Sequence, residues 1–234
     1  MTILERPRRS AQSTSPALLD TGRMTGLFYL GVGIAGVIGF LLIRTQLFQA
    51  DEPSATVVNL IDNEGLARLG IAVDLLLVLA QSLTALWFYR LFRSVDAFAA
   101  AAIAVFGMVN AVAILASTAM TATALDLALS GVDGRVGDPH LMFLVSENLW
   151  GMGNLFFGLW LIPMGWCVLR SRTMPRPLGW ILVAGGIGYV LSAFLGYLLP
   201  SAGLAAEALV IPATVGELWM IGYLLVRGSR SLPR

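Results

Sequence analysis

Four carboxylates, Asp74, Glu147, Glu207 and Glu217, stand within long apolar stretches of this 234-residue chain. A charged side chain near the centre of a bilayer costs at least about 2.5 kcal/mol unless it is paired, solvated or protonated. If these stretches cross a membrane, the four acids are where chemistry is to be sought. Polar neighbours at helical spacing extend the pattern: His140, Glu147 and Asn154 at i, i+7, i+14, Gln81 seven residues after Asp74, and Asn110, Ser117 and Thr121 on one stretch. Helical rise puts Asp74 about 6 Å, Glu147 about 9 Å and Glu217 about 20 Å below the outer ends of their helices. Converging, these stripes would line an outward-opening polar cavity that reaches the midplane near Asn154 and Glu217. The competing reading is that each polar group bonds a neighbouring helix and fixes the packing.

Other chemistries are poorly supplied. His140 is the single histidine and Cys167 the single cysteine, so neither a thiolate cluster nor a zinc site of ordinary composition can be built. A hard cation held by Asp74, Glu147 and His140 is the remaining metal reading, and the expectation is no metal and no cofactor. The glycines of GVGIAG and GGIG fall in mid-stretch, where packing explains them better than phosphate binding. An enzyme is the less favoured expectation, with a membrane-embedded hydrolase as third choice. A net charge of +1 gives no reason to expect nucleic-acid binding.

These residues need helices in a membrane to position them. Hydrophobic residues make up 57% of the chain and charged ones 12%, with a mean hydropathy of +0.80; soluble domains carry roughly 25% charged residues. Uncharged or nearly uncharged runs at 24–43, 70–89, 97–120, 141–169, 178–199 and 204–226 can each span about 30 Å of hydrocarbon. The expected fold is all-α: a polytopic six-transmembrane-helix bundle over 21–228, with polar tails at 1–20 and 229–234. Twelve arginines flank the runs on the side of the two termini, against Arg44, Arg68 and Arg135 in the other loops. By the positive-inside tendency both termini are cytoplasmic and the protein is multi-pass in the cell inner membrane.

The first outer loop, 44–69, is expected to hold a short amphipathic helix capped by Ser54, with Val57, Val58, Ile61 and Leu66 as its apolar face and Asn59, Asp62 and Asn63 pointing elsewhere. Glu64 and Arg68 stand at i,i+4. Small residues at four-residue spacing, Gly31, Ala35 and Gly39 in span one and Ala184, Gly188, Ser192 and Gly196 in span five, provide close packing within the bundle or a homo-oligomer face.

The stretch DEPSATVVNLIDNEGLARLGIAVD at 51–74, together with MPRPLGW at 174–180 and GELW at 216–219, resembles the bacterial membrane family described as domain of unknown function 4386. The resemblance runs through most of the chain. It implies a polytopic membrane protein without an assigned activity and supplies no catalytic residue. It does add Asp51, Thr56, Asn59, Glu64 and Arg68 of the outer loop to the candidates, either docking the surface helix or binding at the cavity mouth. The leading functional expectation is small-molecule or proton-linked transport, or ligand sensing, through the polar cavity. The alternative is a structural or partner-binding membrane subunit.

Overall fold

The computed structural model describes residues 20–131, 137–199, 201 and 203–228. Its elements are α1 (Thr21–Gly36), a π-helical stretch (Val37–Ile43), α2 (Arg44–Leu47), α3 (Pro53–Asp62), α4 (Glu64–Phe92), α5 (Ala97–Ser130), α6 (Gly137–Ser171), α7 (Arg176–Leu198) and α8 (Gly203–Arg227). No strand occurs among the described residues. Six helices are long and apolar enough to cross a membrane, the first being the continuous Thr21–Leu47.

Each long helix packs on the next in sequence, and α8 returns to α1, closing a six-membered ring. Six crossings bring both described chain ends to the same end of the bundle, where Gly228 abuts the Asp20 carboxylate. Asp20 also caps α1 by accepting the Arg23 backbone N–H at 2.9 Å. The rest of the tails expected at 1–20 and 229–234 lies outside the described residues. Tyr29 of α1 meets Phe88 of α4 and Trp160 of α6 edge-on, each pair with centroids 5.4 Å apart, and all three side chains are buried.

Glycine sets the spacing of α6 against α7. A Cβ on Gly165 would lie 2.5 Å from the Gly179 carbonyl oxygen, and one on Gly186 would lie 2.7 Å from that of Gly158. The two backbones therefore touch at two levels, seven residues apart on each helix. The expected four-residue stripe on span five behaves differently: Gly188 abuts Leu209 of α8, Ala184 is exposed, and a Cβ on Gly196 would meet nothing within 4 Å among the described residues. A four-residue step advances about 40° beyond a full turn, so such a stripe winds off any straight neighbour.

Three expectations for the first loop need correction. Arg44 is not in the loop but inside the first span. Buried positions along that span step by three (Tyr29, Val32, Ala35) and then by four (Gly39, Ile43, Leu47). The π-helical stretch widens the turn there and carries the inward face on through Arg44. Ser54 does not cap α3; Pro53 occupies the first turn and Glu52 the N-cap position, without a side-chain bond. The buried face of α3 is Thr56 and Leu60, while Val58 and Ile61 are 53% and 47% exposed.

Candidate functional site

Arg44 and Ser146 form the centre of a polar cluster between α1/α2, α4, α5 and α6. Both terminal guanidinium nitrogens of Arg44 donate to Ser146 Oγ, at 3.2 and 3.1 Å, and one also reaches the Phe143 carbonyl at 3.5 Å. The guanidinium lies over the rings of Phe40 and Phe143, 5.7 and 5.6 Å from their centroids. Ser146 is fully buried and hydrogen-bonds to the hydroxyls of Ser117 at 2.7 Å and Thr121 at 3.0 Å, while Ser117 Oγ lies 2.8 Å from the Ser146 carbonyl. Asp74 of α4 lies against Gly39 of the π-helical stretch, where a Cβ would come 2.7 Å from its Oδ1.

Arg44, Asp74 and Thr121 line one small cavity of about 20 Å³. Space of that order holds a single water and no organic molecule. Neither Asp74 nor Glu147 forms an ion pair with Arg44 within 4.0 Å among the described residues, where the ion pairs are Arg68–Glu64 and Arg170–Asp96. Glu147 itself is exposed, one residue and about 100° around the helix from Ser146.

Above this cluster α3 docks on the bundle. Thr56 is fully buried; its hydroxyl accepts the Gln49 N–H at 3.0 Å, donates to the Gln49 carbonyl at 3.1 Å and lies 3.3 Å from His140 Nδ1. Buried His140 also stacks on Phe48, with ring centroids 5.5 Å apart. Asn59, expected to point away, instead turns its amide toward the Leu47 carbonyl at 3.5 Å. Glu64 and Arg68 make their i,i+4 ion pair at 2.7 Å on the surface, and Asp51 is exposed. Thr56, Asn59 and His140 thus tie the loop helix down, while Asp51, Glu64 and Arg68 face outward.

The other span residues assemble elsewhere. Gln81 and Asn110 are buried near Gly107 and Gly153: Gln81 Nε2 reaches the Gly107 carbonyl at 3.5 Å, and a Cβ on Gly153 would lie 3.3 Å from Asn110 Oδ1. Gln81 Oε1, Asn110 Nδ2 and Trp160 Nε1 are buried without a partner. Glu217 accepts a hydrogen bond from the Tyr29 hydroxyl at 2.6 Å. Tyr29 and Arg44 are fifteen residues apart on one span, so the Glu217 group lies roughly 22 Å along the bundle from the Arg44 cluster. Asn154 is half-buried and Glu207 exposed near the start of α8.

The carboxylates therefore do not share one space. Asp74 lines the small cavity with Arg44, Glu147 is exposed one residue beyond Ser146, Glu217 pairs with Tyr29, and Glu207 stands on the surface. Sequence reading missed Arg44, which the end of the uncharged run at Ile43 places in the outer loop, and Ser146. Ser146 was findable, because Phe143, Ser146, Trp150 and Gly153 continue the three-and-four spacing of the inward face of α6. Among the described residues no group of three His, Cys, Asp or Glu side chains comes together that could hold a metal ion.

A family model described as "Domain of unknown function (DUF4386)" matches residues 24–228, nearly the whole chain. No curated protein and no solved structure matches it.

Proposed function

The chain belongs to the domain of unknown function 4386 family, whose description names no activity, and on that premise we propose that it is a proton-linked transporter or proton sensor working at the Arg44 cluster. The observation that carries this reading is Arg44 itself, an arginine turned into the bundle and held by a serine hydroxyl instead of a carboxylate. Intramembrane ionisable groups in such positions mark ion and proton pathways, and π-helical stretches recur at functional sites. Arg44 and Asp74, the ionisable groups among the residues that line the cavity, cancel when both are charged, and the Asp74 carboxylate is the one of the two that can take up a proton. The small cavity fits a proton or a water better than an organic solute.

We read the α3 end as the outer face and the chain ends as cytoplasmic. With Arg44 inside a span, the arginines near span ends divide twelve to two, which supports that orientation in a cell inner membrane. The test is reconstitution into vesicles that enclose a pH-sensitive dye. An external acid pulse should produce protein-dependent acidification that falls by at least about tenfold in Asp74→Asn and Arg44→Gln. Equal rates in folded wild type and Asp74→Asn would overturn the reading.

A second reading, assembly of copies through span five, draws on exposed Ala184 and on Gly196, where an added Cβ would meet nothing within 4 Å among the described residues. Cysteine cross-linking at position 196 should then join two chains.

A further inference from the structure

At the end of the bundle opposite α3, α6 stops and α7 begins around an open groove of about 740 Å³. Its walls are Arg170, Arg172 and Arg176 with the indoles of Trp166 and Trp180, and Leu169 contributes an apolar side. We propose that this groove binds the headgroup of an anionic phospholipid, the arginines taking the phosphate and the two tryptophans lying at the level of the membrane interface.

The groove is built, not only charged. Asp96, between α4 and α5, accepts the Trp166 indole N–H at 3.2 Å and an Arg170 guanidinium N–H at 3.1 Å on the same oxygen, Oδ2. That one carboxylate holds an aromatic and a cationic wall in place. It also leaves a net charge of +3 − 1 = +2 around the opening, which matches a headgroup carrying one or two negative charges. Arg172 and Arg176 are exposed and form no ion pair among the described residues. Arg172 adopts φ 56°, and it is the one non-glycine residue with positive φ among those described. A residue of this size there is uncommon and mildly strained, and such strain collects at binding sites.

Membrane topology alone would account for arginines at this end but not for their arrangement. Arg90 and Arg227 lie at the same end, are equally exposed, and do not line the groove. Trp180 is 63% and Trp166 51% exposed, and indoles are enriched where one edge meets hydrocarbon and the other meets headgroups. Arginine forks match phosphate oxygens in pairs, and basic pockets between spans recognise anionic headgroups. The inference is independent of the reading given to Arg44.

The test uses the full chain extracted from vesicles of equal parts phosphatidylcholine and phosphatidylglycerol, with retained lipid counted by native mass spectrometry. Wild type should retain phosphatidylglycerol selectively, and the Arg172→Gln, Arg176→Gln double variant should retain roughly twenty-fivefold less, about fivefold for each arginine. Arg90→Gln with Arg227→Gln should leave retention unchanged. If the glutamine pair does not fold, a salt series on wild type serves instead, because retention through these arginines must fall as salt rises. Equal retention of the two lipids, or an equal loss in the Arg90/Arg227 pair, would overturn the proposal. Displacement of the lipid by soluble glycerol 3-phosphate would do so too, because the groove would then be recognising free phosphate esters.

Discussion

The α6–α7 seam and the seam between the π-helical stretch and α4 both depend on glycine, and they use it for opposite ends. Gly158 and Gly165 meet Gly186 and Gly179 so that backbone touches backbone. Gly39 meets the Asp74 carboxylate, so the space it leaves is filled by a charged side chain beside Arg44. In an apolar bundle the residue across from a glycine therefore tells packing apart from a site. A carbonyl opposite means two helices drawn close. A carboxylate opposite means room kept for a polar group whose presence in hydrocarbon needs another explanation.

The largest effect should come from filling the backbone seam. Gly165→Leu drives a branched side chain into the Gly179 carbonyl and the Val183 side chain, and neither helix can yield without opening the ring. The expected cost is about 3 kcal/mol or more, read as loss of monodisperse protein in detergent and a collapsed melting temperature. Gly196→Leu is the control, since a Cβ there would meet no other part of the described structure within 4 Å. If the two variants melt together, the seam is not what holds α6 to α7.

The polar seam should respond less and in a different pattern. Gly39→Ala places a methyl against Asp74 Oδ1 and should cost about 1–3 kcal/mol. The informative measurement is the double-mutant cycle with Asp74→Ala. Truncating the carboxylate should restore part of the loss, with a coupling of roughly 0.5–3 kcal/mol. Additive losses would mean that Gly39 serves backbone approach alone, and the contrast between the seams would disappear.

These seams also mark how far the sequence could be read. Six spans were legible because hydropathy and helix length are properties of each segment by itself. The acids on spans two, four and six were legible for the same reason. Whether they meet was not, because that depends on rotation about each helix axis, and a single π-helical stretch rotates everything beyond it. Arg44 shows this directly: at 3.6 residues per turn it stands about 180° around the helix from buried Ala35, whereas counted through Val37–Ile43 it faces Ser146. The α3 face was misread for a related reason. Thr56 is polar yet fully buried because Gln49 and His140 satisfy its hydroxyl, and no apolar count along the helix contains those partners.

A smaller effect is expected at the second polar station. Tyr29→Phe removes the hydroxyl that donates to Glu217 while keeping the ring between Phe88 and Trp160. The carboxylate loses its donor, at a cost of about 1–3 kcal/mol. Glu217→Gln keeps an acceptor for the same hydroxyl and should cost less. Thermal unfolding of the two variants checks the order. If Glu217→Gln is the more damaging, the charge of Glu217 matters beyond this hydrogen bond, and the two polar stations are more alike than their separation of roughly 22 Å along the first span implies.

The smallest effect should come from Asp96, a carboxylate at the water-facing end where the bundle acids have no counterpart. The Ala99 backbone N–H, which it accepts as N-cap of α5 at 3.1 Å, holds its pKa below the ordinary value, helped by the Trp166 indole and the Arg170 guanidinium. A lowered folded pKa means that the charged form is favoured by folding. Its contribution is present above the unfolded value of about 3.9 and is lost as pH falls through the lower folded value. Asp96→Asn keeps a capping oxygen but removes the charge. Wild type should melt slightly above the variant at neutral pH, and the gap should close as the pH drops below the unfolded carboxylate value. A gap that persists in acid would show that Asp96 works through shape and capping, and that its charge does not help hold Trp166 and Arg170 at the groove.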